Sequence, residues 1–492
     1  MSIKNKLLNG IKEVVDVVRV TLGAMGKTVA IKDGLRLNFH LTKDGVTVAK
    51  YVKVEGEVEE VGAMLLREAV NKTVDEAGDG TTTTCLLVDN YCTTINKQLN
   101  LGENPKVIEK KLNEDLDKLI AFISKKSKKV KTLDEIKNIA KLSSNNDEEV
   151  SEIIKSLYKE LGFNCLIDIK ESENENTFYE IAKGFKLENT GYANSLFINN
   201  QTKGTVELLN PNIFILNDRI NNVEPLTELF MKQNSPTCEP LVILCTGIEE
   251  TELAKILTGM TRNMLFNVYV LVSNQFYYQT EGYFYDLAKF TNGQYSTSHI
   301  GELGKCEKLI ATKDEVYFIN GNGDINEHIE SLRNKKEEVE KKLLKDRILN
   351  LESSAGVIFV GGITPSEAKE KLDRVEDAVL SVKSAVEDGY VGGASSVFLE
   401  AYSKLDISEI SKSAMLCIYN QLMINADLEP QYYLKDIIEI NSGKGGYGYN
   451  VLNNRIENME KVGVIESSKV LKSALKNSIS VAKTFINLEK VI

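Results

Sequence analysis

Ala77-Gly78-Asp79-Gly80-Thr81-Thr82-Thr83-Thr84 is the stretch on which the reading of this 492-residue chain turns. Glycine lets a backbone approach a phosphate closely, and the free N–H groups at a helix start attract anions. A carboxylate just ahead of them, Asp79, suits Mg²⁺, a hard cation that takes oxygen ligands and keeps waters shared with phosphates. Thr81, Thr82 and Thr83 bring three hydroxyls to the start of an apolar helix beginning Cys85-Leu86-Leu87-Val88, where they can donate to phosphoryl oxygens. The same residues also suit a capped helix start with solvent-facing threonines, and this stretch alone does not separate the two. It is not a Walker loop, since no Gly-Lys-Ser/Thr follows at the required spacing. Gly23-Ala24-Met25-Gly26-Lys27-Thr28 ends like one but is two residues short.

Outward from this stretch, residues 56–75 predict an amphipathic helix presenting Val61, Met64, Leu65, Ala69 and Val70. Residues 3–22 place Ile3, Leu7, Ile11, Val14, Val15, Val18 and Leu22 at helical spacing, with Gly23 as the stop. Two β-branched runs, 27–31 and 42–48 around the Asp44-Gly45 turn, read as strands. From 176 to 320 the chain is strand-rich and aromatic, and 327–352 reads as a charged helical stretch. An amphipathic helix over 366–388 runs into the Gly389–Gly393 turn, and the last hundred residues return to helix, interrupted by Gly443 to Tyr449. Helical ends around an α/β middle predict that the first and last segments pack together.

The chain is too long for one hydrophobic core, so two to four domains are expected. A net charge of −11 argues against nucleic acid as the main partner, because a phosphate backbone demands clustered Lys and Arg. No apolar run approaches the roughly 18–20 residues of a membrane span. The N-terminus has no signal core or transit character, which makes the cytoplasm the expected address. The seven cysteines are scattered, odd in number and without a CxxC pair, so reduced thiols fit better than a disulfide framework or zinc site. The three histidines, His40, His299 and His328, show no metal-type spacing.

Five stretches, in order, resemble group I chaperonins of the bacterial GroEL type: TLGAMGKTVAI (21–31), LTKDGVTVAK (41–50), AGDGTTTT (77–84), RVEDAVLSVKSAVEDG (374–389) and YGYN (447–450). The chain is identified as a divergent member. The resemblance implies a multidomain α+β chaperonin fold in three parts: a mainly helical equatorial ATPase domain at 1–125 and 388–492, a small intermediate hinge at 126–183 and 356–387, and an α/β apical polypeptide-binding domain at 184–355. It also implies residue roles. Asp79 would bind Mg²⁺, with K⁺ as a further candidate ion, and Gly80, Thr81, Thr82 and Thr83 would cradle the phosphates of ATP. Thr21, Leu22, Gly23, Ala24 and Lys43 would line the other side of the nucleotide, while Ala394, Asn450, Val451, Leu452 and Glu466 match nucleotide-contacting positions. Asp377 would orient or activate the attacking water, with Asp44 assisting near the γ-phosphate. That division suits phosphoryl transfer, which needs mainly positioning and charge neutralisation.

For the apical part, the resemblance implies an apolar groove that binds non-native polypeptides, with Tyr192, Phe197, Leu226, Leu229, Phe230, Leu253, Leu257 and Met260 as the matching residues. An ordinary helix-face core explains the same residues. A homo-oligomeric ring, heptameric and either single or double, and a separate co-chaperonin lid are further implications; nucleic acid and membrane are not expected partners. The chain departs from the family at several positions. Ala394 replaces a glycine, where an added methyl fits without strain only if φ is negative. Glu466 replaces an Asp, Pro365 and Asn189 replace a Glu/Arg pair between subunits, and Asn420 replaces an inter-ring Arg. These changes raise a rival expectation, a chaperonin-fold scaffold or peptide-binding protein with a weak or absent ATPase cycle.

Overall fold

Ser2 accepts a hydrogen bond from the Asn5 amide and starts the helix Ile3–Val18, whose Leu7, Ile11, Val14, Val15 and Val18 are all buried. In this computed structural model the described residues are 2–32, 39–163, 165–172, 175–201, 204–227, 229, 239–263, 267–274, 277–297, 301–334, 341–352 and 354–491. They fall into two units, Met1–Phe163 with Ile169–Tyr179 and Ile358–Ile492, and Asn164–Asp168 with Glu180–Val357.

The first unit is helical. Glu57–Ala77, Thr81–Asn100, Pro105–Lys126, Glu409–Asn425 and Ser468–Asn487 share one apolar core with Ile3–Val18. The two ends of the chain do pack together, as the helical pattern predicts. Gly10 and Gly62 let two helices touch backbone to backbone: a Cβ on Gly10 would lie 1.8 Å from the Glu59 carbonyl, and one on Gly62 2.1 Å from that of Leu7. Gly78, at φ 77°, ends Glu57–Ala77 in the left-handed conformation that glycine adopts without strain. No helix among the described residues is long and apolar enough to cross a membrane.

The strand expected over 42–48 is not there. Phe39–Thr42 pairs antiparallel with Val29–Lys32, and Gly45–Tyr51 is a helix. The reason is local: the Asp44 carboxylate accepts bonds from the Val46 and Thr47 amides at 2.9 and 2.8 Å, an N-cap that outweighs the β-branched pattern. Val46, Val48 and Ala49 then face the core.

The second unit is built on a mixed sheet. From Phe178–Glu188 onward its strands run in the order Phe178–Glu188, Glu315–Gly321, Gly304–Ala311, Asn212–Leu216, Leu241–Cys245, Val268–Ser273 and Thr190–Tyr192. The parallel centre, Asn212–Leu216 with Leu241–Cys245 and Val268–Ser273, is almost wholly buried, which explains its continuous apolar sequence. The charged stretch expected over 327–352 contains two helices, Asn326–Arg333 and Lys341–Leu351. Asp286 joins both to the helix Tyr277–Thr291, accepting two bonds from Arg347 at 2.7 Å and lying 2.6 Å from Nε2 of His328. His328 therefore packs against the buried Arg347–Asp286 ion pair.

Candidate active site

A cavity of about 220 Å³ opens in the first unit, and all the residues expected to hold or hydrolyse the nucleotide line it. Thr21, Leu22, Gly23 and Ala24 come from the turn after the first helix, and Lys43 and Asp44 from the strand–helix junction. Asp79 to Thr83 come from the junction of two long helices, Asp377 from the helix Pro365–Asp388, and Ala394 from the turn after the short strand Tyr390–Gly392. Asn450, Val451, Leu452 and Glu466 close the remaining side.

Each wall is shaped by short-range forces. Gly80 takes φ 97° ahead of Thr81, and a Cβ there would meet Val470 Cγ1 at 2.7 Å, so the backbone reaches a position closed to other residues. Thr21 Oγ1 donates to the Val18 carbonyl at 2.9 Å and lies 3.3 Å from Thr82 Oγ1, which pins the turn against the threonine helix. Asn425 Nδ2 holds the same turn by donating to the Arg19 and Leu22 carbonyls at 3.0 Å. Gly45 permits close approach of the Asp44 wall, since a Cβ would lie 2.9 Å from Thr81 Cγ2 and Thr82 Oγ1. Asn450 is committed locally: its Oδ1 accepts from the Leu452 amide at 3.1 Å and its Nδ2 donates to Glu457 at 2.9 Å.

Several lining residues carry no sequence signal of their own. Ser143, Asn145 and Asn146 arrive from the end of the helix Leu133–Ser143, with both asparagines left-handed at φ 56° and 65°. Ser381 donates to Asp79 Oδ2 at 3.0 Å. It sits one turn beyond Asp377, so the i+4 rule on that helix could have found it. Ala394 answers the question its methyl raises: its φ is 48°, not negative, and Ser395 follows at 63°. Two successive non-glycine residues are thus held left-handed, at about 1–2 kcal/mol each. Ser395 Oγ is buried without a hydrogen-bond partner.

The electrostatics are those of crowded carboxylates. Enclosure by protein pushes the Asp79 carboxyl up, bonds from Gly80, Ser143 and Ser381 offset part of this, and the charge of Asp44 adds to the rise. Asp377 is held well above the usual carboxylate range by enclosure, then by Asp79, Asp44, Asp373 and Glu376. Glu466 is pushed up to about 8 by enclosure and by Asp79. All three side chains nevertheless retain some exposure. A site of crowded carboxylates, backed by glycine turns and hydroxyls at a helix start, fits a divalent cation accompanying a polyphosphate.

The family model described as the TCP-1/cpn60 chaperonin family matches residues 14–237 and 285–492. This chain belongs to that family. Among solved structures, the chaperonin fold is matched by the chaperonin gp146 from the bacteriophage EL 2 (Pseudomonas aeruginosa), crystallised in the presence of ATP-BeFx. One crystal form of that protein aligns with a TM-score of 0.62 at 21% identity, over 99% of this chain and 97% of that one. A second form gives 0.58 at 21%, over 100% and 97%. The likeness is one of fold, the multidomain α+β fold of chaperonins.

The chaperonin's expected polypeptide-binding residues separate into groups. Phe197 and Leu226, at 1% and 0% exposure, belong to the core of the second unit and present nothing to a client in this conformation. Tyr192, Leu253 and Leu257 line a cavity of about 630 Å³ in that unit, together with Arg219, Glu250 and Lys313. Leu229 packs partly buried against the core. Phe230 lies outside the described residues, as does the side chain of Met260 on the helix Glu250–Asn263.

Proposed function

We propose that this chaperonin chain is an ATPase whose hydrolysis drives the binding and release of non-native polypeptides in a ring-shaped chamber. The observation that carries the reading is the convergence, on one cavity, of Asp44, Asp79, Thr81 to Thr83 and Asp377, drawn from three separate segments of the chain. In this reading ATP enters with its phosphates against the Gly80–Thr83 helix start and Lys43, and its base and ribose toward Asn450 to Leu452 and Glu466. Asp79 holds Mg²⁺, which when bound neutralises phosphate charge; K⁺ is a further candidate ion. Asp377 orients the attacking water and accepts its proton. Asp44, anchored as a helix cap, lines the same cavity.

The domain division goes with the same reading: equatorial 1–125 and 388–492, intermediate 126–183 and 356–387, apical 184–355. Clients dock on the apical part around Tyr192, Leu253 and Leu257, whose apolar side chains share the cavity with the charged Arg219, Glu250 and Lys313. A heptameric ring in the cytoplasm, working with a separate lid, completes the proposal. Light scattering with and without Mg-ATP, run beside phosphate release, tests it. Ring-sized particles with turnover stimulated by unfolded protein support it. A monomer, or a ring without turnover, transfers the chain to the scaffold reading.

A further inference from the structure

Asp373 lies four residues before Asp377 on the helix Pro365–Asp388. On a helix that spacing sets two side chains on one face with Cβ atoms roughly 5–6 Å apart. The same face continues to Ser381, which donates to Asp79. Asp373 does not line the cavity, yet its Oδ2 is buried and has no hydrogen-bond partner, while the residue as a whole is partly exposed. Asp44 acts on it from the strand–helix junction, and Glu376, Lys369 and Glu370 act on it from its own helix. Enclosure, then Asp44 and Glu376, push its carboxyl up to about 7, a value at which it can both take and give a proton near neutrality.

We propose that Asp373 is a positioning residue that acts through Asp377, accepting the proton released in hydrolysis and passing it to solvent. This rests on the hydrolytic reading above. As the oxygen of water bonds to the γ-phosphorus, the bond from that phosphorus to the bridging oxygen breaks. ADP leaves with the electron pair, and the proton of the water passes to Asp377. Asp377 is enclosed among other carboxylates and must lose that proton before the next turnover. Asp373, one turn away with an unpartnered inner oxygen and partial exposure, is the acceptor on the outward side. The sum is ATP and water giving ADP, phosphate and one proton in solution.

The test uses the full-length protein in saturating Mg-ATP. Asp373→Asn is expected to slow steady-state phosphate release by about tenfold or more, with the ATP dissociation constant by equilibrium dialysis unchanged within about twofold. Imidazole or formate in the buffer should restore the rate by carrying the proton in place of the missing carboxylate, and Asp373→Glu should run near the parent. Three results overturn the proposal: a parental rate in Asp373→Asn, a slowed rate that small acids and bases do not restore, or a weakened dissociation constant that accounts for the loss. An Asp377→Ala protein that hydrolyses ATP at the parental rate would instead remove the hydrolytic reading itself.

Discussion

Replacing Asp44 separates two roles carried by one carboxylate. Its two oxygens accept from the Val46 and Thr47 amides at 2.9 and 2.8 Å and close the N-terminus of a seven-residue helix. Losing an N-cap costs about 0.5–2 kcal/mol, and losing a negative charge at a helix N-terminus costs about 0.3–1 kcal/mol. So short a helix has little stability of its own and depends on its cap and its packing. Asp44→Ala is therefore expected to destabilise the Gly45–Tyr51 helix by about 1–2 kcal/mol. Asp44→Asn keeps one accepting oxygen and should lose about half as much. Neither variant keeps the charge that acts on Asp373 and Asp377, so both should lose phosphate release by similar factors. Hydrogen exchange at the amides of residues 46–51, which reads local opening, and phosphate release in saturating Mg-ATP measure the two effects on the same preparations. Parental turnover in Asp44→Asn refutes the catalytic assignment. Unchanged amide protection in Asp44→Ala refutes the capping argument.

Gly80→Ala places a Cβ 2.7 Å from Val470 at a φ of 97°. Left-handed strain and overpacking together predict a loss of about 2–5 kcal/mol, with weakened ATP binding; a melting curve and a binding isotherm matching the parent would contradict it. Ala394→Gly relieves strain at φ 48° worth about 1–2 kcal/mol against about 1 kcal/mol of added chain freedom, so chemical denaturation should show a small gain or no change, and a clear loss would show that the methyl packs usefully. In the nucleotide-free protein, Glu466 keeps in the folded state a proton that the unfolded chain releases from an ordinary value of 4.5. Its contribution is thus fully present below 4.5 and lost as pH rises toward about 8. Glu466→Gln should flatten the fall in melting temperature across that window, and parallel curves for the two proteins would exclude the effect.

Some of the site could be placed from the chain alone because its chemistry is contiguous. Asp79 to Thr83 bring carboxylate, glycine and hydroxyls to one helix start, and the turns at Gly23 and Gly45 announce themselves by composition. The helices were readable because apolar residues at three- and four-residue spacing, such as Leu7 to Val18, must share a face whatever they pack against. The run 42–48 misled because its β-branched alternation is genuine, while a single capping aspartate set the conformation. Phe197 and Leu226 show the complementary difficulty. An apolar side chain reads the same whether it meets a core or a client, and here the second unit's core covers both.

Local forces act within a few residues, so caps, periodicities and glycine turns are written in order along the chain. Enclosure and electric field are not. Ser143 and Ser381 reach Asp79 from distant segments, and the carboxyl of Asp377 is raised by Asp79 and Asp44, which are near it only because the chain folds back. The left-handed backbone at Ala394 likewise cannot be read from Gly-Gly-Ala-Ser, since alanine by itself favours negative φ and the surrounding fold must hold it otherwise. Which residue types could bind a nucleotide was decided by composition and spacing; which of them share a cavity, and in what protonation state, followed from segments far apart in sequence being brought into one low-dielectric space.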